Sequence, residues 1–160
     1  MYFITSNDTF DSLELRKKVS SYLKKKNMPF IAGKNTKSFD KNIVPDYMLA
    51  IGDDNLILET FRGLGKKQIP LLGIASTQSF LAQSDAASFQ QHIDLIEKKK
   101  YKIFKRSRIV ASFNNQKYSA LNDIGIFSSK SASLIRYSLN LNSGQLWKDN
   151  ADGIIVSTPT

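Results

Sequence analysis

Two carboxylates and an amide, those of Asp53, Asp54 and Asn55, follow a short apolar run in the first half of the chain. The run, residues 48–51, is typical of a buried strand, and apolar residues then recur at helical spacing over residues 56–64. The acidic cluster therefore falls where a strand meets a helix, which is where open α/β sheets bind ligands. An ionised Asp at that position can accept a proton from a hydroxyl group or hold a metal ion. The alternative is that Asp53 or Asn55 merely caps the helix.

Polar side chains also interrupt or end three other apolar segments. Asn122 and Asp123 break the strand predicted over residues 118–127, and a buried unpaired polar group costs about 1–3 kcal/mol, which favours a binding role. Alternatively, that strand lies at a sheet edge and both groups meet water. Asp152 opens a turn into a strand that ends in the hydroxyl-rich Ser-Thr-Pro-Thr, suited to a ribose or a base edge. Phe80, in a polar strand-end loop, is a candidate stacking partner.

The composition narrows the class of protein. The 160 residues are 41% hydrophobic, which indicates a folded globular chain, and they include no cysteine, which excludes disulfides and thiolate metal sites and suits a cytoplasmic protein. No apolar run approaches the roughly 18 residues of a membrane span, so we expect no membrane partner. His92 is the only histidine and is expected to face solvent, so we predict neither a zinc site nor a Ser-His-Asp triad, and no protein-bound metal.

The net charge of +9 raises the question of a nucleic-acid partner. Three of the five basic clusters fall on or just after the C-termini of predicted helices, where lysine complements the helix dipole, and no recognition module accompanies them. We therefore predict no nucleic-acid partner. The alternative for this charge is attraction of polyanionic ligands such as nucleotides.

The predicted elements divide the chain near Lys100. Before it, strands over residues 1–5, 47–51 and 69–74 alternate with helices over residues 11–26, 55–64 and 86–99, as in a parallel α/β sheet. After it, only strands are predicted, over residues 101–113, 117–127, 132–141 and 153–157. We predict an α/β domain over residues 1–100 and an all-β domain over residues 101–160. The second is short for an independent β domain, so we expect it to be incomplete, either in a truncated chain or in a homo-oligomer whose partner completes the sheet.

The order of these segments resembles the NAD kinase family, the inorganic polyphosphate/ATP–NAD kinases. The resemblance covers residues 47–160 and rests on the Gly-Asp between strand and helix, the Gly-Ile loop with Phe-Leu, Arg-x-Arg-Ile over 106–109, Ala-Leu-Asn-Asp over 120–123, and Asp-Gly-Ile-Ile-Val-Ser-Thr-Pro-Thr over 152–160. It implies a Rossmann-like domain followed by part of a β-sandwich domain. It also implies transfer of a phosphoryl group, from ATP or polyphosphate with Mg²⁺, to the adenosine ribose 2′-hydroxyl of NAD, which gives NADP.

The resemblance also implies roles for individual residues. Asp53 matches the Asp of the family's Gly-Gly-Asp-Gly motif, the proposed base for the 2′-hydroxyl. The residues implied to bind NAD are Gly52, Asp54, Phe80, Asn122, Asp123, Asp152, Thr158 and Thr160.

The chain departs from the family pattern at the acidic motif. Gly-Gly-Asp-Gly reads Ile51-Gly52-Asp53-Asp54 here, and we expect the charge of Asp54 to repel a phosphoryl donor unless Mg²⁺ intervenes. A catalytically impaired, regulatory nucleotide-binding relative is therefore a second hypothesis. Lipid kinases of the diacylglycerol and sphingosine type, which share the Gly-Asp motif, are a third, and the block over residues 152–160 favours NAD over lipid.

Overall fold

The computed structural model describes residues 1–33, 44–65, 67–142 and 144–158, and the chain forms two compact units, Met1–Lys105 and Arg106–Thr160. The described part of the first unit is a five-stranded, wholly parallel sheet in the order β2-β1-β3-β4-β5 with three helices. Its strands are β1 (Tyr2–Ser6), β2 (Phe30–Ala32), β3 (Tyr47–Gly52), β4 (Leu71–Ala75) and β5 (Ser84–Asp85), and its helices are α1 (Phe10–Lys25), α2 (Asp54–Leu64) and α3 (Phe89–Glu97).

The central strands are continuous apolar runs because both faces of the sheet are covered. On one face, Ile4 and Leu49 pack in a cluster with Val19 of α1 and Ile93 of α3, all fully buried. On the other face, Phe3 packs with side chains that include Leu64 of α2. The predicted parallel α/β arrangement is therefore confirmed.

The strand register brings the carboxyl ends of three strands to one edge of this sheet. Ser6 pairs with Ile51 between β1 and β3, and Gly52 pairs with Ala75 between β3 and β4. From β1 the chain passes to β2 on one side and then to β3 on the other, so the strand order reverses between β1 and β3. Ligands of open parallel sheets bind in the crevice at such a reversal, outside the carboxyl ends of the strands. We call this the carboxyl edge.

The second unit is antiparallel. Its described residues form three strand pairs: β6 (Ile109–Phe113) with β7 (Gln116–Ala120), β8 (Asp123–Phe127) with β11 (Gly153–Ser157), and β9 (Ile135–Leu141) with β10 (Gly144–Ala151). In the described ranges of the whole chain, no helix is long and apolar enough to cross a membrane.

Several predicted elements differ from the structure. Strand β10 was not predicted, because its sequence is largely polar and a bulge between Gln145 and Trp147 breaks the alternation. The strand predicted over residues 101–113 is regular only from Ile109, and the strand predicted over residues 117–127 is two strands, β7 and β8, separated at residues 121–122. Helix α3 begins at Phe89 instead of Ala86, because residues 85–88 form a turn that Asp85 closes by accepting the N–H of Ser88 at 2.8 Å.

Candidate functional site

Asp53 lies at the carboxyl edge, directly after β3, and is the N-cap residue of α2. Its backbone is extended (φ −96°, ψ −179°), and its Oδ1 accepts the N–H of Leu56 at 2.9 Å. The cap that we gave as the alternative is therefore present. It occupies one oxygen only, because Oδ2 of this half-buried side chain makes no hydrogen bond to the described part of the chain. One carboxylate thus combines an orientation fixed by the cap with a second oxygen that no described residue binds.

Gly52 is required where it stands because two side chains approach its Cα closely. A Cβ built there would lie 1.9 Å from Oδ1 of Asn7 and 2.9 Å from Cδ2 of Leu56. Any side chain at residue 52 would displace Asn7 or the first turn of α2, and the orientation of Asp53 with it. The structure shows that the missing side chain lets Asn7 approach, and the contact between Gly52 and the dinucleotide stays a prediction.

Asn7 is a residue of this edge that the sequence reasoning missed. It follows β1 directly, and its N–H donates to the carbonyl of Ile51 at 3.4 Å. Its Oδ1 is buried and has no hydrogen-bond partner among the described residues. Buried polar atoms are seldom left unpaired, so this oxygen is a candidate ligand contact. Its position in the sequence could have indicated it, because Asn7 lies just past the predicted first strand, as Asp53 lies just past the strand predicted over residues 47–51.

Asp54 is turned away from Asp53 and toward the loop after β4. Its carboxylate accepts the hydroxyl of Ser79, the N–H of Phe80 at 3.1 Å and the N–H of Leu81 at 3.0 Å. The Ser79 hydroxyl, followed by these two N–H groups, holds the pKa of the Asp54 carboxyl below its ordinary value. The Asp54 carboxylate is therefore kept ionised and is bound to uncharged donors of the loop, an arrangement that sequence spacing did not indicate, and its repulsion of a phosphoryl donor stays a prediction.

The rest of the carboxyl edge is rich in hydroxyl groups. The hydroxyls of Ser12 and Ser76 lie 2.8 Å apart, which joins the first turn of α1 to the loop after β4. Arg16 of α1 donates to the Ser6 hydroxyl at 3.3 Å and brings a positive charge to the end of β1. Phe80 is 95% exposed, so its ring is available to a partner.

In the second unit the structure brings Asn122 and Thr158 together. The carbonyl of Asn122 accepts the N–H of Thr158 at 2.7 Å, and the Thr158 hydroxyl donates to the carbonyl of Leu121 at 2.9 Å. Oδ1 of Asn122 is buried and has no hydrogen-bond partner within the described ranges. Of the two polar residues expected to interrupt this segment, Asn122 is therefore the one with a buried, unpaired atom. Asp123 pairs with Ser157 and is exposed.

Asp152 does not join this group in the structure. Asp152 is exposed and precedes β11, whereas Thr158 follows it, so the whole strand separates the two, roughly 20 Å at about 3.4 Å per residue step. Thr160 lies outside the described residues. Among the residues that are described, no group of three or more His, Asp or Glu side chains is arranged to hold a metal ion, and His92 Nδ1 lies 2.8 Å from the Ser84 hydroxyl.

Comparison with known proteins gives a consistent set of relatives. No protein-family model matches the chain. The chain is 32% identical to an NAD kinase of Bacteroides fragilis over 76% of its own length and 43% of that protein. It is 29% identical to the NAD kinase of Methanothermobacter thermautotrophicus over 75% of its length and 43% of that protein. The chain thus spans less than half the length of these curated relatives.

Solved structures show the same fold. The yeast NADH kinase complexed with NADH superposes with a TM-score of 0.82 at 20% identity, covering 99% of this chain and 54% of that one. An NAD kinase from Archaeoglobus fulgidus in complex with ATP gives a TM-score of 0.73 at 20% identity, covering 98% of this chain and 60% of that one. The predicted fold, an α/β part followed by antiparallel strands, is confirmed, and so is the resemblance on which it rested.

Proposed function

We propose that this chain, a relative of the NAD kinases in sequence and in fold, is an N-terminal portion of an NAD kinase. In this proposal a phosphoryl group passes from ATP or polyphosphate to the 2′-hydroxyl of the adenosine ribose of NAD, and the product is NADP. The observation that carries the proposal is the position of Asp53: it lies at the carboxyl edge, its Oδ1 is fixed by the Leu56 N–H, and its Oδ2 has no hydrogen-bond partner among the described residues.

Asp53 is the group that we propose handles the proton of the ribose. As the O2′–phosphorus bond forms, the bond between the γ-phosphorus and its bridging oxygen breaks, and ADP or a shortened polyphosphate leaves. The 2′-hydroxyl proton passes to Oδ2 of Asp53, which later releases it to water. Because phosphoryl transfer depends mainly on positioning, the cap contributes by holding this carboxylate in one orientation.

A Mg²⁺ ion would arrive with the donor, held mainly by the donor's phosphates and by water, as is usual for Mg²⁺ in such sites. Oδ2 of Asp53 is not counted as a ligand in this proposal, because it takes the ribose proton. Such an ion neutralises phosphate charge when it is bound. Arg16, held near the end of β1 by Ser6, supplies a further positive charge from the chain itself.

The two units offer separate sets of contacts for the dinucleotide. In the first, the exposed Phe80 ring suits stacking on a base, and Oδ1 of Asn7 is an unused acceptor. In the second, the buried Oδ1 of Asn122 is an acceptor for an amino or hydroxyl group, with Asp123 and Thr158 beside it. Asp152 and Thr160 stay in the proposal as implied by the resemblance.

A non-catalytic, regulatory NAD-binding protein is the second candidate. The observation that favours it is Asp54, which stands where the family motif has glycine and whose carboxylate is bound by the loop after β4. This arrangement leaves the proposed contacts to the dinucleotide in place. It adds a carboxylate where the motif's glycine would let a phosphoryl donor approach the backbone.

Two measurements separate these candidates. Calorimetric titration of the natural full-length chain with NAD tests binding, and NADP formation is followed with an enzyme that reduces NADP alone, with ATP and polyphosphate as donors in parallel. Binding with NADP formation supports the kinase. Binding without product from either donor supports the regulatory candidate, and absence of binding contradicts both.

We also propose that the protein is a cytoplasmic homo-oligomer. The absence of cysteine suits a reducing compartment. The strand pairs of the second unit expose large apolar side chains, among them Leu139 (52% exposed), Trp147 (59%) and Ile155 (63%), which association would cover. Sedimentation showing a stable monomer of the natural chain at micromolar concentration would contradict the oligomer.

A further inference from the structure

The loop after β4 is tethered to helix α2 by one side chain. We call residues 79–82 the aromatic loop. The Asp54 carboxylate accepts the hydroxyl of Ser79 and the N–H groups of Phe80 and Leu81, and the Ser79 hydroxyl in turn accepts the N–H of Ala82 at 3.0 Å. Each residue of the loop is therefore bound to Asp54 directly or through Ser79. Hydrogen bonds to a charged group are stronger than neutral ones, so this tether orders the loop.

The tether holds the backbone of Phe80 but not its ring. The Phe80 N–H lies 3.1 and 3.2 Å from the two Asp54 oxygens, whereas the side chain is 95% exposed. Exposing a large aromatic ring is unfavourable unless a partner covers it, and a ring on an ordered backbone loses less entropy when it binds. An exposed ring on an ordered backbone is suited to stacking on a planar ligand.

We propose that Asp54 is a positioning residue that acts through Phe80: it orders the aromatic loop so that the Phe80 ring can stack on a base of the dinucleotide. This inference rests on the proposed function, because the dinucleotide is taken to be NAD. Asp54 itself touches neither the nucleotide nor the reacting atoms in this account. Glycine, which the family motif has at this position, has no side chain to form the tether.

A double-mutant cycle tests the dependence of Asp54 on Phe80. NAD affinity is measured by calorimetry for the natural full-length chain, for Asp54→Ala, for Phe80→Ala and for the double variant. Glu59→Ala, which removes an exposed carboxylate from the same helix, is the matched control for charge. Asp54→Asn keeps one acceptor oxygen and is the conservative variant that should partly restore affinity.

Hydrogen exchange of the Phe80 and Leu81 amides supplies a readout that needs no ligand. We expect Asp54→Ala to remove the protection of both amides, and Glu59→Ala to leave it unchanged. Protected loop amides in Asp54→Ala would overturn the tether, whether or not the protein binds NAD.

The NAD affinities of the variants test whether Asp54 acts on binding through Phe80. Since stacking of one base on an aromatic ring is worth about tenfold in affinity, we expect Phe80→Ala and Asp54→Ala each to weaken NAD binding by about tenfold. In the Phe80→Ala background, Asp54→Ala should then have less than about a twofold further effect. Additive losses would mean that Asp54 acts on the ligand directly, and an unchanged affinity in Asp54→Ala would also overturn the proposal. If the natural chain itself does not bind NAD, the proposed function is wrong. Hydrogen exchange of the Phe80 and Leu81 amides then still shows whether Asp54 orders the loop.

Discussion

Asp53 and Asp54 are adjacent in the chain, but their carboxylates bind donors from different elements. Asp53 Oδ1 accepts the N–H of Leu56 in its own helix at 2.9 Å, whereas Asp54 accepts the N–H of Leu81 in the loop after β4 at 3.0 Å. The Asp54 carboxylate therefore holds the loop after β4, whereas Oδ2 of Asp53 has no partner among the described residues. On this difference we propose that Asp53 takes the ribose proton and that Asp54 orders the neighbouring loop.

The close contact between Gly52 and Asn7 predicts that Gly52→Ala destabilises the protein. A Cβ at residue 52 would lie 1.9 Å from Asn7 Oδ1, and overpacking of this kind costs about 1–3 kcal/mol of unfolding free energy. Gly63→Ala is the matched control: Gly63 is exposed within α2, and alanine there should stabilise by about 0.5–1 kcal/mol. Urea unfolding measures both. Equal stability of Gly52→Ala and the natural protein would show that Asn7 moves freely.

The lowered pKa of Asp54 predicts an acid-sensitive loop. Ser79, followed by the N–H groups of Leu81 and Phe80, favours the ionised carboxylate and lowers its pKa in the folded state. The tether is therefore fully present above the ordinary pKa of aspartate and is lost as the pH falls through the lowered value. Amide chemical shifts of Phe80 and Leu81 should stay constant at neutral pH and change together only in strong acid. In Asp54→Ala these shifts should lack that transition, and a shared transition near neutral pH would contradict the assignment.

The main elements of the first unit could be predicted from the sequence because local signals agree there. The apolar runs of the strands and the helical spacing of apolar residues placed β1, β3, α1 and α2 to within one residue at each end. The role of Asp54 could not be predicted, because its donors lie 25 to 27 residues further along the chain and reach it only through the sheet register. Strand β10 could not be predicted either, since most of its side chains are polar or exposed.

The unpaired oxygen of Asn122 predicts opposite effects on stability and on binding. Asn122→Ala removes a buried acceptor that has no partner among the described residues, so the unfolding free energy should not fall. NAD affinity should fall by about 1–3 kcal/mol if that oxygen accepts a hydrogen bond from the dinucleotide. Asn140→Ala, on the exposed side of β9, is the control and should change neither quantity. A variant that loses stability while keeping its NAD affinity would make Asn122 a structural residue only.

The most direct test of the central claim is NADP formation by the natural full-length chain and by Asp53→Asn, measured side by side with NAD affinity. Asparagine caps a helix as well as aspartate does, so Asp53→Asn can keep the bond to Leu56 through its remaining oxygen, while an uncharged NH₂ group that cannot take a proton replaces Oδ2. We expect turnover to fall by at least about 10²-fold, since a positioned base contributes that much, while NAD affinity changes less than about twofold. Turnover of Asp53→Asn equal to that of the natural protein would show that Asp53 is a helix cap and nothing more.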